Sequence, residues 1–181
     1  KCHSSCGIVI MGNTDIHKSE EEVDICIDSV PNILRDEALL DRFNGFIHGW
    51  NLPKISRSSV HFASDYGLIS DYFSEILHQL RSQDFVKEIR DRVELFGDSK
   101  ITERDSESIL HSASGLLKLL CPHGEFSSKD IRLAFKTAIQ LREGIIKILE
   151  KMNPKEFSDP NINFIINPPR EKISKLSGVK H

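Results

Sequence analysis

Three polar residues stand where the pattern around them could turn them to chemistry. Arg42 lies in the amphipathic run Ala38-Leu39-Leu40-Asp41-Arg42-Phe43. Asn13 follows the apolar run Gly7-Ile8-Val9-Ile10-Met11-Gly12, and Arg104 sits in Glu103-Arg104-Asp105-Ser106-Glu107-Ser108-Ile109. An arginine offers a planar, permanently charged fork that can meet charge on a phosphoryl group at a fixed angle, which a lysine ammonium does poorly. Each residue also has a plainer reading. Arg42 can complement the dipole of the helix it ends, or pair with Asp41 or Asp36; Arg35 is a neighbouring cation outside the Leu-x-Arg-Phe frame. Gly12-Asn13-Thr14-Asp15 has the residue types of a turn. A cation at a helix N-terminus is locally unfavourable, so Arg104 asks for an anion, and Glu103, Asp105 or Glu107 could supply it.

The chain contains no G-x-x-x-x-G-K-[ST] phosphate loop and no acidic strand of the kind that holds a metal beside one, so it is not expected to hydrolyse a nucleotide by itself. Cys2, His3 and Cys6 have ligand-type side chains at a spacing that is not a zinc pattern, and no metal site is assigned. Ser114 and Lys118 lie one helical turn apart, a spacing that fits a solvent-facing pair as well as a proteolytic dyad; no protease site is assigned. Trp50 with Phe46 reads as a packing anchor.

With 181 residues, 39% hydrophobic and 28% charged, the composition is that of a soluble globular protein able to bury a core. A net charge of −3 gives no global footprint for nucleic acid. The first residue is Lys, with no signal-type run, and no apolar stretch approaches the ~20 residues of a membrane span. These features, with four cysteines (Cys2, Cys6, Cys26, Cys121) in no disulfide-scaffold spacing, read as an internal piece of a cytoplasmic protein without membrane contact.

Residues 7–12 have the continuous apolar character of a strand covered on both faces. A helix is expected over about Ile33–Phe43, stopped by Gly45, with a second short strand from Phe46. After Pro53 strand signals stop and four helical patterns follow: about Leu68–Ser82; Phe85–Leu95; one opened by the capping box Thr102-Glu103-Arg104-Asp105 and closed by Pro122; and one opened by Ser127-Ser128-Lys129-Asp130 and running to Met152. Short connections make these four a small bundle. From Asn153, prolines at 154, 160, 168 and 169 forbid a regular helix, leaving a linker or tail with room for a short strand at Phe164–Ile166.

The Leu-x-Arg-Phe frame resembles the second half of an AAA+ ATPase core. Its continuation, Asp41-Arg42-Phe43-Asn44-Gly45-Phe46-Ile47-His48-Gly49-Trp50-Asn51-Leu52-Pro53-Lys54-Ile55, is more particular. Together with Tyr66-Gly67-Leu68-Ile69-Ser70-Asp71-Tyr72 and Ser114-Gly115-Leu116-Leu117-Lys118-Leu119-Leu120-Cys121-Pro122-His123-Gly124, it resembles the Lon-like AAA+ proteins of BREX phage-defence systems, the BrxL family, over roughly residues 7 to 157. A weaker similarity to the minichromosome maintenance helicases lies in the same frame and in the Arg-x-x-x-Ser-Ile helix start.

The resemblance implies a mostly α chain with a small α/β part. Residues 1–52 would be the C-terminal piece of an AAA+ core with two short strands, 53–66 a linker, 67–152 a four-helix lid, and 153–181 a linker or tail toward a further domain. It implies Asn13 as the sensor-1 residue, Arg42 as the arginine finger and Arg104 as the sensor-2 arginine. ATP and Mg would be used by the intact parent protein, with neighbouring subunits of a homo-oligomeric ring as partners and DNA association as the setting. The competing classes are a helical protein-protein interaction module and a helical DNA-binding domain; the acidic start of the third helix argues against the second. The enzyme-part reading expects Arg42 and Arg104 exposed and unpaired within the chain.

Overall fold

The computed structural model describes residues 7–12, 16–18, 23–25, 31–49, 52 and 65–168. Its centre is a pair of long helices, α4 (Glu103–Leu120) and α5 (Ser128–Met152), and both begin at the expected capping boxes. At α4 the Thr102 hydroxyl accepts from the Asp105 amide at 3.1 Å while the Asp105 carboxylate accepts from the Thr102 amide at 3.2 Å. The same reciprocal pair joins Ser127 and Asp130 at α5. Each box satisfies backbone donors that the first helical turn leaves without partners. α4 ends at Cys121, and Gly124, at a φ of 84°, supplies the left-handed residue that reverses the chain into α5.

The apolar stripes of the two helices interlock. Ile109, Ala113 and Leu117 from α4 and Ile131, Phe135 and Ala138 from α5 are all fully buried, and the core continues into Ile89, Val93 and Ile162. Fully burying an aliphatic or aromatic side chain stabilises by about 1.5–3 kcal/mol, so this seam accounts for most of the fold's cohesion.

The expected helix over Phe85–Leu95 is shorter in the structure. α3 (Val86–Arg90) stops at Asp91, and the chain continues as a strand, β3 (Val93–Phe96). It pairs antiparallel with β4 (Asn163–Ile166), register Val93 to Ile166 and Phe96 to Asn163. Val-Glu-Leu-Phe alternates inward and outward with a period of two, and the tail strand satisfies its backbone, so pairing prevails over local helix propensity. Gly97 lets the tail close on this strand pair: a Cβ there would lie 2.4 Å from the Pro160 carbonyl oxygen, and Asp98 N–H donates to that same oxygen at 2.8 Å.

Two further expectations are corrected. Residues 7–12 form no regular element, and Ile8, Val9 and Met11 are 77%, 85% and 91% exposed, because no strand among the described residues lies beside them. Two three-residue strands, β1 (Ile16–Lys18) and β2 (Val23–Ile25), pair with each other instead. The helix expected over Ile33–Phe43 is a 3-10 turn at Asn32–Leu34 followed by α1 (Glu37–Leu40), divided where Asp36 turns extended to cap α1. Phe46 and Ile47 are irregular chain lying along α5, not a strand.

α2 (Ser70–Leu80) forms as expected, yet of its apolar stripe only Leu80 is buried, while Ile69, Tyr72 and Phe73 stay exposed. The described chain is therefore a helical pair with flanking elements, mostly α with small antiparallel strand pairs, and not a closed four-helix bundle. No described helix is long and apolar enough to cross a membrane.

Phe135→Ala should lower the unfolding free energy by about 3–5 kcal/mol, whereas Leu133→Ala on the exposed side of the same helix should cost under about 1 kcal/mol, as read by urea denaturation. Equal costs would contradict the α4–α5 seam. A second test uses the α5 cap. The Asp130 pKa is held below its ordinary value, first by the Ser127 hydroxyl and then by the Ser127 amide. A depressed carboxylate contributes stability that is present above its unfolded-state pKa and lost as pH falls through the folded one. Ser127→Ala should raise the Asp130 midpoint in a carboxyl-detected NMR titration and narrow that window; an unmoved midpoint would refute the assignment.

Candidate functional site

α1 is a single turn, and its register places the residues after it. Asp36 accepts from the Leu39 amide at 2.7 Å, and Leu40 drops into a small cluster with Ile145 and Leu149 of α5, joined by Phe43, Phe46 and Phe157. The following loop runs close against α5. A Cβ on Gly45 would sit 2.6 Å from Leu141 Cβ, one on Gly144 would sit 3.2 Å from the Phe46 carbonyl oxygen, and the Phe46 amide donates to the Leu141 carbonyl at 2.9 Å. A glycine on each side, Gly45 against Leu141 and Gly144 against Phe46, lets the backbones approach where a side chain would hold them apart.

At the end of α1 this contact becomes ionic. Arg142 of α5 is fully buried, and its guanidinium donates four hydrogen bonds to oxygen and forms ion pairs with two carboxylates. Nε donates to Asp105 Oδ1 at 2.7 Å; Nη1 donates to the carbonyls of Asp41 and Phe43 at 3.0 and 2.8 Å; Nη2 meets Asp41 Oδ1 at 2.6 Å and Asp105 Oδ1 at 2.7 Å. Asp105 thus joins two tasks, one oxygen closing the α4 capping box and the other holding Arg142.

Arg142 escaped the sequence reading. Its position, seven residues after Phe135 and seven before Leu149, is a core position of the α5 stripe, and a charge in that frame was the available signal of a buried ion pair.

Of the three residues singled out by sequence, Arg42 and Arg104 come to this region, and Asn13 lies outside the described residues. Arg104, on the first turn of α4, is 47% exposed and pairs through Nη1 with Asp41 Oδ2. The anion its position demands is therefore Asp41, sixty-three residues away in sequence, and not its helix neighbours. The expectation of an unpaired arginine fails here.

Arg42 is exposed, its Nη1 donates to the Ala38 carbonyl of its own helical turn, and no carboxylate among the described residues pairs with it. Three cations thus surround Asp41: Arg42 beside it in sequence, and Arg104 and the buried Arg142 from across space. A cleft of about 700 Å³ opens beside Arg104; its lining includes the carboxylates of Asp41, Glu103, Asp105, Glu107 and Glu156 and does not include Arg42. The exposed Arg104 and Arg42 guanidiniums suit phosphate oxygens. Among the described residues no three metal-ligating side chains converge.

Ser114 accepts from the Phe85 amide at 3.1 Å at the start of α3 and is buried at 3% exposure, which corrects the solvent-facing reading of its pair with Lys118. His48, in the loop along α5, has its pKa lowered first by burial and then by the Lys147 charge, both of which disfavour the imidazolium.

Residues 1–163 match the family described as Lon-like protease BrxL-like, ATPase domain. The chain is 34% identical over 143 residues to the Lon-like protease BrxL of Escherichia coli O9:H4 (strain HS), covering 79% of this chain and 20% of that relative. It is 30% identical over 172 residues to the Lon-like protease BrxL of Bacillus cereus (strain H3081.97), covering 91% of this chain and 24% of that one. The chain thus spans about a fifth to a quarter of the length of the curated relatives it matches.

The two arginines that meet at Asp41 should differ sharply in their worth to stability. Asp41→Ala strands part of the buried Arg142 charge and should cost about 3 kcal/mol, whereas Arg104→Ala removes a half-exposed partner and should cost less than about 1 kcal/mol. Chemical denaturation of both variants checks this, and an inverted order would mean that the buried pair is not what holds the loop.

Proposed function

This chain belongs to the Lon-like protease BrxL-like family, within its ATPase domain, and on that footing we propose that it supplies sensing and transition-state residues to an AAA+ ATPase whose phosphate loop lies on other segments. Arg42 is the arginine finger, Arg104 the sensor-2 arginine and Asn13 the sensor-1 residue. Residues 1–52 are the end of the α/β core, 53–66 a linker, 67–152 the helical lid, and 153–181 lead toward a further domain.

The observation that carries this reading is Arg42: an exposed guanidinium, unpaired with any described carboxylate, on a loop fixed at its root by buried contacts. A finger needs that combination, because its charge must meet the developing charge on a phosphoryl group at a set distance and angle. ATP supplies the transferred group and Mg neutralises its phosphates. The donors offered by this chain are cationic and fit phosphate oxygens, while the ligands to Mg belong to other segments and to the nucleotide. Because the finger and the phosphate loop belong to separate places, Arg42 serves the nucleotide of a neighbouring subunit, and a closed head-to-tail ring gives every site one finger. DNA association and phage defence are the setting that the family resemblance supplies.

Arg104 is read as a sensor that rests on Asp41 and exchanges this carboxylate for a phosphate. Its internal pairing is also what a non-enzymatic helical interaction module would show, and that module is the second reading.

In the full-length protein, Arg42→Ala should reduce ATP hydrolysis by about 10³-fold or more with ATP binding nearly unchanged, since a finger acts on the transition state and not on the ground-state complex. Arg42→Lys should be almost as damaging. Mixing Arg42→Ala with a phosphate-loop variant should restore part of the activity through hybrid interfaces. Normal hydrolysis by Arg42→Ala would leave the interaction module as the better account.

A further inference from the structure

Arg142 sits under Arg42 in an unusual way. Its Nη1 group donates to the carbonyl of Asp41 at 3.0 Å and to that of Phe43 at 2.8 Å, the residues immediately before and after Arg42. One rigid guanidinium therefore holds the backbone on both sides of the Arg42 α-carbon, and Nη2 adds the Asp41 carboxylate at 2.6 Å. The other edge of the same guanidinium is fixed to Asp105, whose second oxygen is locked in the Thr102 capping box. Because Arg142 is 0% exposed and Gly144 and Gly45 seat the loop on α5, the root of Arg42 has little freedom to move without α5 and the start of α4.

From this bracket we propose that Arg142 is the positioning residue of the arginine finger, coupling the orientation of Arg42 to the helices of the lid; the proposal rests on the finger reading of Arg42. Arg142 touches no nucleotide. It acts through the Asp41 carbonyl, on the peptide unit that leads into Arg42, and through the Phe43 carbonyl one residue beyond it, and movement of α5 or of the Arg104 end of α4 is transmitted to the finger. A lysine in its place would keep one positive charge between Asp41 and Asp105. Its three donors on a single nitrogen could not span two carbonyls and two carboxylates at once.

The experiment uses the full-length protein carrying Arg142→Lys. Hydrolysis should fall at least tenfold in kcat while KM for ATP stays within about threefold. In the Arg42→Ala background the same substitution should cause no further loss, since the finger through which it acts is gone. Hydrogen exchange supplies a readout independent of activity: the amides of residues 40–46 should exchange at least tenfold faster, with those of Ile109–Leu117 and Ile131–Ile139 unchanged. If Arg142→Lys loses its helical signal in circular dichroism, Asp41→Asn, which leaves both carbonyl contacts and weakens the carboxylate contact, carries the same expectations at smaller size.

An unchanged kcat beside a crippled Arg42→Ala enzyme would overturn the positioning role and leave the finger intact. Equal fold-losses from Arg142→Lys in the presence and absence of Arg42 would overturn it too, by showing that Arg142 acts elsewhere. Faster exchange of the loop together with a fully active Arg42→Ala enzyme would instead remove the finger reading and keep the structural bracket.

Discussion

A guanidinium with no access to water governs this structure. Burying an unpaired charge costs several kcal/mol, and Arg142 is tolerable because it donates four hydrogen bonds to oxygen and two carboxylates offset its charge. Those oxygens come from two places far apart in sequence: the segment Asp41–Phe43 that follows α1, and the first turn of α4. Satisfying one buried cation therefore fixes the relative placement of α1, α4 and α5. The surrounding apolar contacts of Leu40, Ile145 and Leu149 exclude water and raise the penalty for any arrangement that leaves a donor open.

The charge balance reaches one step further. Two carboxylates face Arg142, and the excess negative charge is met by Arg104 at the rim. Arg104 differs from Arg142 in its access to solvent, 47% against 0%, so the two arginines on one carboxylate have different roles open to them. The buried one cannot leave without stranding charge. The rim arginine can exchange Asp41 for another anion at small cost, because an exposed pair is worth little in water. A structural cation and an exchangeable one sharing a carboxylate form an arrangement in which an anion arriving at the surface is felt at the residue beside Arg42.

Much of this architecture could be read in the residues. Both capping boxes, the extents of α4 and α5 and the α2 helix follow from local chemistry, since a cap, a stripe and a stop signal are decided within a few residues of one another. The family was legible for a related reason: each of its frames is contiguous, and residues 38–55, 66–72 and 114–124 carry them in order. Where the reading failed, the deciding partner was distant. Val93–Phe96 became a strand because Asn163–Ile166 lies beside it, and Ile8–Met11 stayed exposed because an apolar run specifies burial without supplying the neighbour that covers it.

The candidate site divides in the same way. The sequence by itself determined that Arg42 ends an amphipathic turn in a Leu-x-Arg-Phe frame and that Arg104 opens a capped helix in need of an anion, both consequences of local order along the chain. Only the tertiary structure decided that the anion is Asp41 and not Glu103 or Glu107, and that a buried Arg142 holds the carbonyls on either side of Arg42. The physical reason is that an ion pair depends on distance and desolvation, and the bond between Asp41 and Arg142 spans 101 residues of sequence that only folding brings together.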